Sequence, residues 1–342
     1  MKSRKNKILL MTMALAFMLT ACQEDKGKEE KVGAEQELIE DKNSPKNQAS
    51  FSKTDRLKDY LLDMEGIENV EPCYQIVFAF DQLPEDSIPY EQLKLFYKEM
   101  QATVNPLIVW EMSLDYMGYY GGSTAFVKGY EDYIREKDKP EKTQSRNPIN
   151  ITVTDEKGAK RWRTPLKTVM MNDRVSQKFD DYIDQGRGFE ASDFILEKAQ
   201  EPIPIILGSG YRELYKLEEQ FSLELLGKAM TFQVIGFYKA GTHFAMGVGA
   251  GHEVKLDNII VMPAFMPNYE PEGRKEKFQH AMMWAELTTG FVPIEGRLSE
   301  IDDATFDNHE KRMQAMAERY GLAQLYKYPF RPLGFVWNDH KE

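Results

Sequence analysis

The side chains best suited to chemistry lie far apart along this chain. The five histidines are His243, His252, His280, His309 and His340. No two of them stand at the HExxH or HxH spacing of a zinc site. His252-Glu253 beside a run of glycines is typical of solvated polar residues in a loop. The adjacent carboxylates Asp180-Asp181 and Asp302-Asp303 make poor acid–base dyads, because neighbouring side chains point in different directions on regular structure.

Two glycine-rich segments also fall short of catalytic or cofactor-binding patterns. Residues 247–252 read GVGAGH, which does not complete the dinucleotide-binding pattern GxGxxG. Residues 208–210 read GSG, whereas a nucleophile elbow requires GxSxG. The sequence therefore predicts a protein that is not an enzyme and has neither a cofactor nor a metal site. A hydrolase that uses an unrecognised site is the alternative.

The first 22 residues indicate another chemistry, the lipid modification of a cysteine. Four basic residues, Lys2, Arg4, Lys5 and Lys7, precede an apolar run of 14 residues, 8–21. That length suits the core of a signal peptide better than a membrane span. The run ends in Leu-Thr-Ala before Cys22, which resembles the cleavage box of bacterial lipoproteins, where the cysteine thiol takes the lipid. Residues 1–21 are thus predicted as a lipoprotein signal peptide, with an ordinary secretory signal as the alternative.

Residues 22–54 are predicted as a flexible charged tether. The stretch 23–50 contains no aromatic residue and few large apolar ones, so it cannot bury enough surface to offset its ordering entropy. Cleavage after Ala21 leaves 40 basic and 55 acidic residues, a net charge of −15. Cys22 would anchor the body to the extracytoplasmic face of the cell membrane. The sequence is compatible with either the inner or the outer membrane. Cys73 is then the remaining thiol, predicted as a small buried hydrophobe.

The composition limits the classes of protein to which the folded part can belong. Hydrophobic residues make up 42 % and aromatic residues 12 % of 342 residues, enough for one large or two small packed domains. Lys and Arg number 44 against 55 Asp and Glu, and this net charge of −11 argues against a nucleic-acid partner. Two cysteines do not make a disulfide framework, and no further apolar run is long enough to predict a membrane span.

Hydrophobic periodicity predicts a mixture of strands and helices. Strands are expected over residues 74–80, 107–114, 204–207, 230–238 and 256–262. Helices are expected around residues 87–100, 175–182, 211–219 and 305–320. Residues 149–154 and 160–164 flank a turn and are typical of a hairpin. Short strands with helices that do not alternate regularly indicate an α+β fold.

Four segments, in this order, resemble the periplasmic core domain of MacB/FtsX-type ABC transporter permeases, a MacB-like core. They are residues 175–193, 202–217, 225–239 and 258–265. In the first segment, the family's Gly-Arg-x-Phe turn and the acidic position after it are occupied by Gly186, Arg187, Phe189 and Asp193. In the third segment, Gly236 stands in the family's Val-x-Gly pattern. The resemblance makes the chain a free-standing relative of that domain.

The resemblance implies a body of two parts. A porter-like β-α-β subdomain would comprise residues 72–160 plus 275–335, and an inserted small α/β subdomain would comprise residues 161–266. The five motif residues are expected to be structural. Family members carry transmembrane helices and work with an ATPase, and this sequence contains neither those helices nor a Walker-type nucleotide site. The implied role is therefore that of an accessory protein, which binds an ABC transporter permease or its peptide or lipid-like substrate.

The loop over residues 115–123 is rich in tyrosine and glycine. Tyr116, Tyr119 and Tyr120 are predicted to contact a partner, because tyrosine offers a large contact area at a low cost in side-chain entropy. Packing of the same rings onto their own domain is the alternative. The acidic charge of the chain would favour cationic peptides through steering, or serve solubility alone.

Two functions of different classes follow from the sequence. The leading hypothesis is a non-catalytic, lipid-anchored extracytoplasmic lipoprotein that is accessory to, or a relative of, a MacB/FtsX-type ABC exporter. The alternative is an extracytoplasmic hydrolase, which requires a concave site that holds a carboxylate of raised pKa or a nucleophile paired with histidine.

Overall fold

The computed structural model describes nine stretches of the chain. They are residues 69–75, 88–140, 144–154, 158–247, 252–269, 277–288, 290–294, 303–323 and 332–338. The predicted signal peptide, the tether, Cys22 and His340 lie outside these stretches.

Six of the described strands form a closed barrel. They are β2 (Leu107–Met117), β4 (Lys160–Met171), β7 (Ile203–Leu207), β8 (Gln220–Leu225), β9 (Lys228–Tyr238) and β12 (Ile260–Pro263). Their order around the barrel is β2-β8-β9-β7-β12-β4, and antiparallel pairing of β4 with β2 closes the ring. That closing pair is the longest register of the structure, from Val109 opposite Met171 to Met117 opposite Arg163. Two pairs, β7–β9 and β4–β12, are parallel.

A second group of strands continues from the start of β2. It contains β1 (Val70–Gln75), β10 (His243–Gly247), β11 (His252–Lys255), β14 (Gly290–Pro293) and β15 (Pro332–Trp337). The order is β11-β10-β15-β1-β14-β2, with every pair antiparallel. Because β2 belongs to both groups, it joins the barrel to this sheet.

The remaining elements are short strands and five helices. The strands are β3 (Ile151–Thr154), β5 (Ile183–Gly186), β6 (Ile195–Leu196) and β13 (Met266–Pro267). The helices in the described stretches are α1 (Tyr90–Val104), α2 (Tyr130–Glu136), α3 (Asp173–Ser176), α4 (Lys277–Thr288) and α5 (Asp303–Arg319). β3 pairs with the start of β4 as the predicted hairpin, which is confirmed. α1 contacts both α4 and α5.

The core consists of two apolar clusters, because successive side chains along a strand point to opposite sides of the sheet. Even-numbered residues of β2 and β4, such as Met112, Leu114 and Met170, join the cluster that fills the barrel and continues under α1, α4 and α5. Odd-numbered residues, such as Val109 and Val169, join the cluster on the outer side of the barrel. Cys73 lies in this outer cluster, 1 % exposed, as predicted for a small hydrophobe. Burial raises the pKa of its thiol far above the ordinary value.

The α+β porter-like fold predicted from the sequence, with its MacB periplasmic-core-like arrangement, is wrong. Strands dominate the described residues, and six of them close into a barrel that the porter-like interpretation does not contain. The predicted strand–helix–strand unit at the start also differs, since β14 lies between β1 and β2. The barrel also combines the two predicted subdomains. β2 lies in the segment predicted as porter-like, and the other five barrel strands lie almost entirely in residues 161–266, the predicted inserted subdomain.

The predicted helix over residues 211–219 is also wrong. The chain makes a single turn of 3-10 helix at Ser209–Tyr211 and then runs through turns to β8. Glu218 takes a left-handed backbone, φ +66°, and its N–H donates to the carbonyl of Val234. Pairing with β9 thus replaces the helix that the local spacing favoured.

Candidate functional site

The three tyrosines predicted to contact a partner lie at one end of the barrel. At this end β2, β7 and β9 finish, and β4, β8 and β12 begin. Tyr116, predicted in a loop, belongs to the end of β2, while Tyr119 and Tyr120 follow it in the connection to the next turn. Tyr116 is 37 % exposed and Tyr119 is 66 % exposed, whereas Tyr120 is half-buried. Two of the three rings therefore reach the surface.

Trp162 completes this surface, although the sequence pattern does not predict it as a contact residue. Its ring meets that of Tyr119 edge to face, with centroids 4.9 Å apart, and the side chain is 46 % exposed. The available signal was the strand RWR of the predicted hairpin, where alternation sends the tryptophan to the side opposite the two arginines. Aromatic pairs of this geometry attract each other beyond their area of contact.

Strand register places two further side chains beside these rings. Thr152 of β3 stands directly opposite Trp162, and Lys160 precedes Trp162 by two residues, so both share its side of the sheet. Tyr116 stands opposite Thr164, which has the same orientation as Trp162. We call Tyr116, Tyr119, Thr152, Lys160 and Trp162 the aromatic face.

Hydrogen bonds hold the loop that carries Tyr119 on both sides of that residue. The N–H of Gly118 donates to the carbonyl of Trp162 at 2.9 Å, which extends the β2–β4 pairing by one step. The N–H of Tyr120 donates to Oδ1 of Asn150 at 2.7 Å, and Nδ2 of Asn150 donates back to the Tyr120 carbonyl at 3.2 Å. The Tyr120 hydroxyl donates to the carbonyl of Ser123 at 2.9 Å. Tyr119 is thus presented from a fixed backbone.

Beneath the aromatic face, five rings close this end of the barrel. This aromatic cap consists of Tyr120, Phe126, Tyr211, Tyr215 and Phe221, all packed within or against the inner cluster. Phe126 and Tyr211 stack with centroids 4.1 Å apart, and Tyr215 lies 4.7 Å from Phe221. Tyr116 joins face and cap through its ring contact with Tyr120 at 5.8 Å. The cap gives the exposed rings a packed floor.

The phenols of the cap stay protonated at neutral pH. Burial raises the pKa of Tyr211 well above its ordinary value, and burial likewise raises the pKa of Tyr120 and Tyr215. These groups therefore offer hydrogen-bonding hydroxyls and ring faces rather than acid–base chemistry.

Three charged side chains near this end, Asp115, Arg163 and Glu224, lie on the other side of the same strands. Asp115 stands opposite Glu224 of β8, and an Arg163 nitrogen approaches its carboxylate to 3.7 Å. Burial raises the pKa of Asp115 to about 6, Arg163 opposes this rise, and Glu224 adds to it. No histidine, serine or cysteine among the described residues is hydrogen-bonded to Asp115. The carboxyl is perturbed, but the described residues pair it with no nucleophile.

The motif residues of the family resemblance form a network of contacts between β5, the loop that follows it, and β9. Arg187 Nη1 donates to Asp193 Oδ2 at 2.6 Å, and the same carboxylate oxygen accepts the N–H of Glu190 at 2.8 Å. The ring of Phe189 is buried in the outer cluster. A Cβ on Gly236 would lie 2.6 Å from the carbonyl oxygen of Arg187. These contacts fix the loop that follows β5.

The described histidines lie on four different elements. His243 is in β10 and His252 in β11, while His280 of α4 and His309 of α5 pack against Tyr90 and Tyr74. Within the described stretches, no three His, Cys, Asp or Glu side chains are grouped to hold a metal ion.

Ser209 donates to Asp257 at 2.5 Å, without a histidine among the hydrogen-bond partners of either residue in the described part of the chain. A cavity of about 130 Å³ beside β6 and β7 is lined by Asp193, Leu196, Glu201, Ile203 and Phe265. It is well below the roughly 300 Å³ at which small-molecule sites begin. In the part of the chain that the structure describes, neither the Ser209–Asp257 pair nor this cavity forms a second candidate site.

Neither the protein-family models nor the curated proteins contain a match to this chain. None of the helices in the described stretches is long and apolar enough to cross a bilayer.

Proposed function

We propose that this protein is a lipid-anchored, extracytoplasmic binding protein that engages a partner through the aromatic face without transforming it. The observation that carries the proposal is the exposed pair Tyr119 and Trp162, 66 % and 46 % exposed, in mutual contact on the surface. Exposed aromatic residues that are clustered, rather than scattered singly, mark interaction surfaces. The lipid anchor at Cys22 rests on the sequence of the first 22 residues.

The rigidity of the aromatic face supports a binding role. The backbone around Tyr119 is held by Trp162 and Asn150, and the rings rest on the packed aromatic cap. A surface ordered before the partner arrives avoids much of the entropy cost of association. Tyrosine and tryptophan have few rotatable bonds, which lowers that cost further.

The sequence resemblance adds a partner to this proposal, an ABC transporter permease of the MacB/FtsX type or the substrate of such an exporter. Its support consists of the four segments named above. The fold that the same resemblance implied is wrong, so the similarity of those segments does not extend to the architecture.

A photo-activated cross-linking residue at position 119 tests the binding role in cells. We expect adducts from Tyr119 that are absent from position 95, because Leu95 is a 52 % exposed apolar residue on α1, away from the aromatic face. Recovery of a permease would identify that partner. Equal, background-level adducts at both positions would contradict the proposal.

One observation favours the hydrolase alternative, the raised pKa of Asp115. A hydrolase that depends on this carboxyl would lose turnover in Asp115→Asn, which keeps the shape of the side chain. Our proposal instead expects the purified protein to leave ester, peptide and glycoside substrates unchanged. Turnover that Asp115→Asn abolishes would overturn it.

A further inference from the structure

We propose that the aromatic face docks on an anionic phospholipid surface, with Trp162 and Tyr119 at the level of the headgroups and Lys160 on the lipid phosphates. The inference deepens the proposed function by naming what the face meets, and it rests on that function for the lipid anchor that brings the body close to a bilayer. A membrane protein bound at the same face is the competing outcome.

The composition of the aromatic face matches the chemistry of a membrane interface. Tyrosine and tryptophan place an apolar ring among acyl chains while the hydroxyl or indole N–H stays in the wet headgroup layer. Trp162 and Tyr119 are the two most exposed aromatic side chains of the described residues. Both project from the same end of the barrel, where the β3–β4 hairpin extends beyond the last β2–β4 pair at Met117 and Arg163.

The charge on this side of the hairpin complements an anionic surface. Lys160 and Trp162 are two residues apart on β4, so their side chains share one side of the hairpin. Thr154 and Thr152 stand opposite them on β3, and these four positions contain one cation and no carboxylate. Asp115 and Glu224, which stand opposite each other on β2 and β8, lie on the other side of their strands. A lysine stem also lies along apolar surface while its ammonium group reaches the phosphates.

The charge of the rest of the chain favours one orientation of the body on the membrane. The chain that remains after cleavage at Ala21 has a net charge of −15, so anionic lipid repels the body as a whole. Residues 155–163, DEKGAKRWR, contain four basic and two acidic side chains, so this part of the hairpin has a net charge of +2. A basic hairpin on an acidic body favours one orientation on an anionic membrane, with the hairpin toward the lipid.

The proposed tether allows this contact. A flexible chain the length of residues 22–54 has an end-to-end distance of about 30 Å. Such a tether keeps the body within one molecular diameter of the bilayer that holds Cys22. The face then meets lipid at a high effective concentration, so a weak contact suffices to orient the body.

Quenching of tryptophan emission by brominated lipids tests the inference on the full lipidated protein. The protein is reconstituted into phosphatidylcholine vesicles with and without phosphatidylglycerol, and quenching is compared for the wild type, Trp162→Phe and Trp110→Phe. We expect strong quenching of the wild type in the anionic vesicles, lost in Trp162→Phe and retained in Trp110→Phe. Trp110 is a matched control because it packs against the inner cluster.

A second variant isolates the electrostatic part of the contact. Lys160→Gln should reduce the extra quenching caused by phosphatidylglycerol and leave the weaker quenching in pure phosphatidylcholine unchanged. Equal quenching of the wild type and Trp162→Phe would overturn the inference, and so would quenching that ignores phosphatidylglycerol. Cross-linking of position 119 to a protein without lipid quenching would also overturn it, while leaving the proposed binding function intact.

Discussion

At the scale of single residues, the contact of Gly186 with β9 is among the tightest in the described fold. Gly186 has φ +78°, and a Cβ there would lie 2.1 Å from the carbonyl oxygen of Ile235 and 2.8 Å from Cα of Gly236. Both the left-handed backbone and the close approach therefore require glycine. The sequence predicted the first requirement, because glycine follows a short helix, but the second depends on a strand about 50 residues away.

Gly186→Ala should destabilise the protein by about 2–4 kcal/mol, because it combines left-handed strain with a clash against backbone. Gly129→Ala is the matched control: Gly129 also has φ +78°, but nothing lies within 4 Å of its Cβ position. It should cost only about 1 kcal/mol. Thermal or denaturant unfolding of both variants measures the difference. Equal destabilisation would show that the close approach of β5 to β9 is incorrect.

The raised pKa of Asp115 predicts a specific dependence of stability on pH. The carboxyl holds its proton more tightly in the folded state, with a pKa of about 6 against an ordinary 3.8. The folded state therefore binds more protons than the unfolded state between pH 4 and 6, and stability falls as the pH rises through that window, by up to ~1.4 kcal/mol per unit. Above about pH 6 this contribution is constant.

Asp115→Asn should remove this slope, since an amide does not ionise. Denaturant unfolding of the wild type and the variant at pH 4, 5, 6 and 7 gives the comparison. We expect the variant to gain stability relative to the wild type across pH 4 to 6 and to follow it in parallel above that. Parallel curves throughout would mean that Asp115 is solvated.

At the scale of elements, local pattern predicted much of the secondary structure. β7 and β9 formed where dense apolar runs predicted them, and α5 ends before Gly321, whose φ of +68° marks the predicted stop. The helix over residues 211–219 failed because Tyr211 and Tyr215 have helical spacing but bury their rings in the aromatic cap. The spacing of two rings does not say which surface they cover.

The aromatic face shows the same limit for the candidate site. Tyr116 and Tyr119 were predicted as contact residues from their type and their glycine-rich surroundings. Trp162 lies more than 40 residues away, and only the register of β2 with β4 brings it to Tyr119. Residue type thus predicted two of the five residues of the aromatic face, and strand pairing supplied the other three.

Asn172 ties β4 to the start of β2 and to α3. Its side chain is buried, accepts the N–H groups of Ile108 and Val175, and donates to the carbonyl of Pro106 at 2.8 Å. Asn172→Ala removes the side-chain partners of the Ile108 N–H and the Pro106 carbonyl and should cost about 3 kcal/mol. The N–H of Val175 keeps its bond to the backbone carbonyl of residue 172. Asn268→Ala, at an exposed residue bonded to Glu197, should change stability by less than about 0.5 kcal/mol. Denaturant unfolding separates the two; similar values would contradict this account of the junction.

At the scale of the whole molecule, closure of the barrel was beyond sequence reasoning. Runs of apolar residues indicate strands, but they do not say that Val109–Met117 pairs with Arg163–Met171. An α+β arrangement and a closed barrel draw on similar strands, and the pairing partner distinguishes them. The two core clusters follow from that closure, because it turns one side of each strand inward.

The whole-molecule account joins two parts that are supported separately. The described fold presents a rigid aromatic end, and the first 22 residues predict an anchor that holds the body at a membrane. A binding surface held near a bilayer meets membrane-bound partners at a raised effective concentration. Without the anchor, the aromatic face would be an ordinary surface on an acidic protein in solution.

Metabolic labelling with radioactive palmitate tests that anchor most directly. Cells that express the wild type, Cys22→Ala or Cys73→Ala are labelled, and the protein is isolated and counted. We expect label on the wild type and on Cys73→Ala, since Cys73 is 1 % exposed, and none on Cys22→Ala. A wild-type protein without label, or a Cys22→Ala variant that keeps it, would contradict the account.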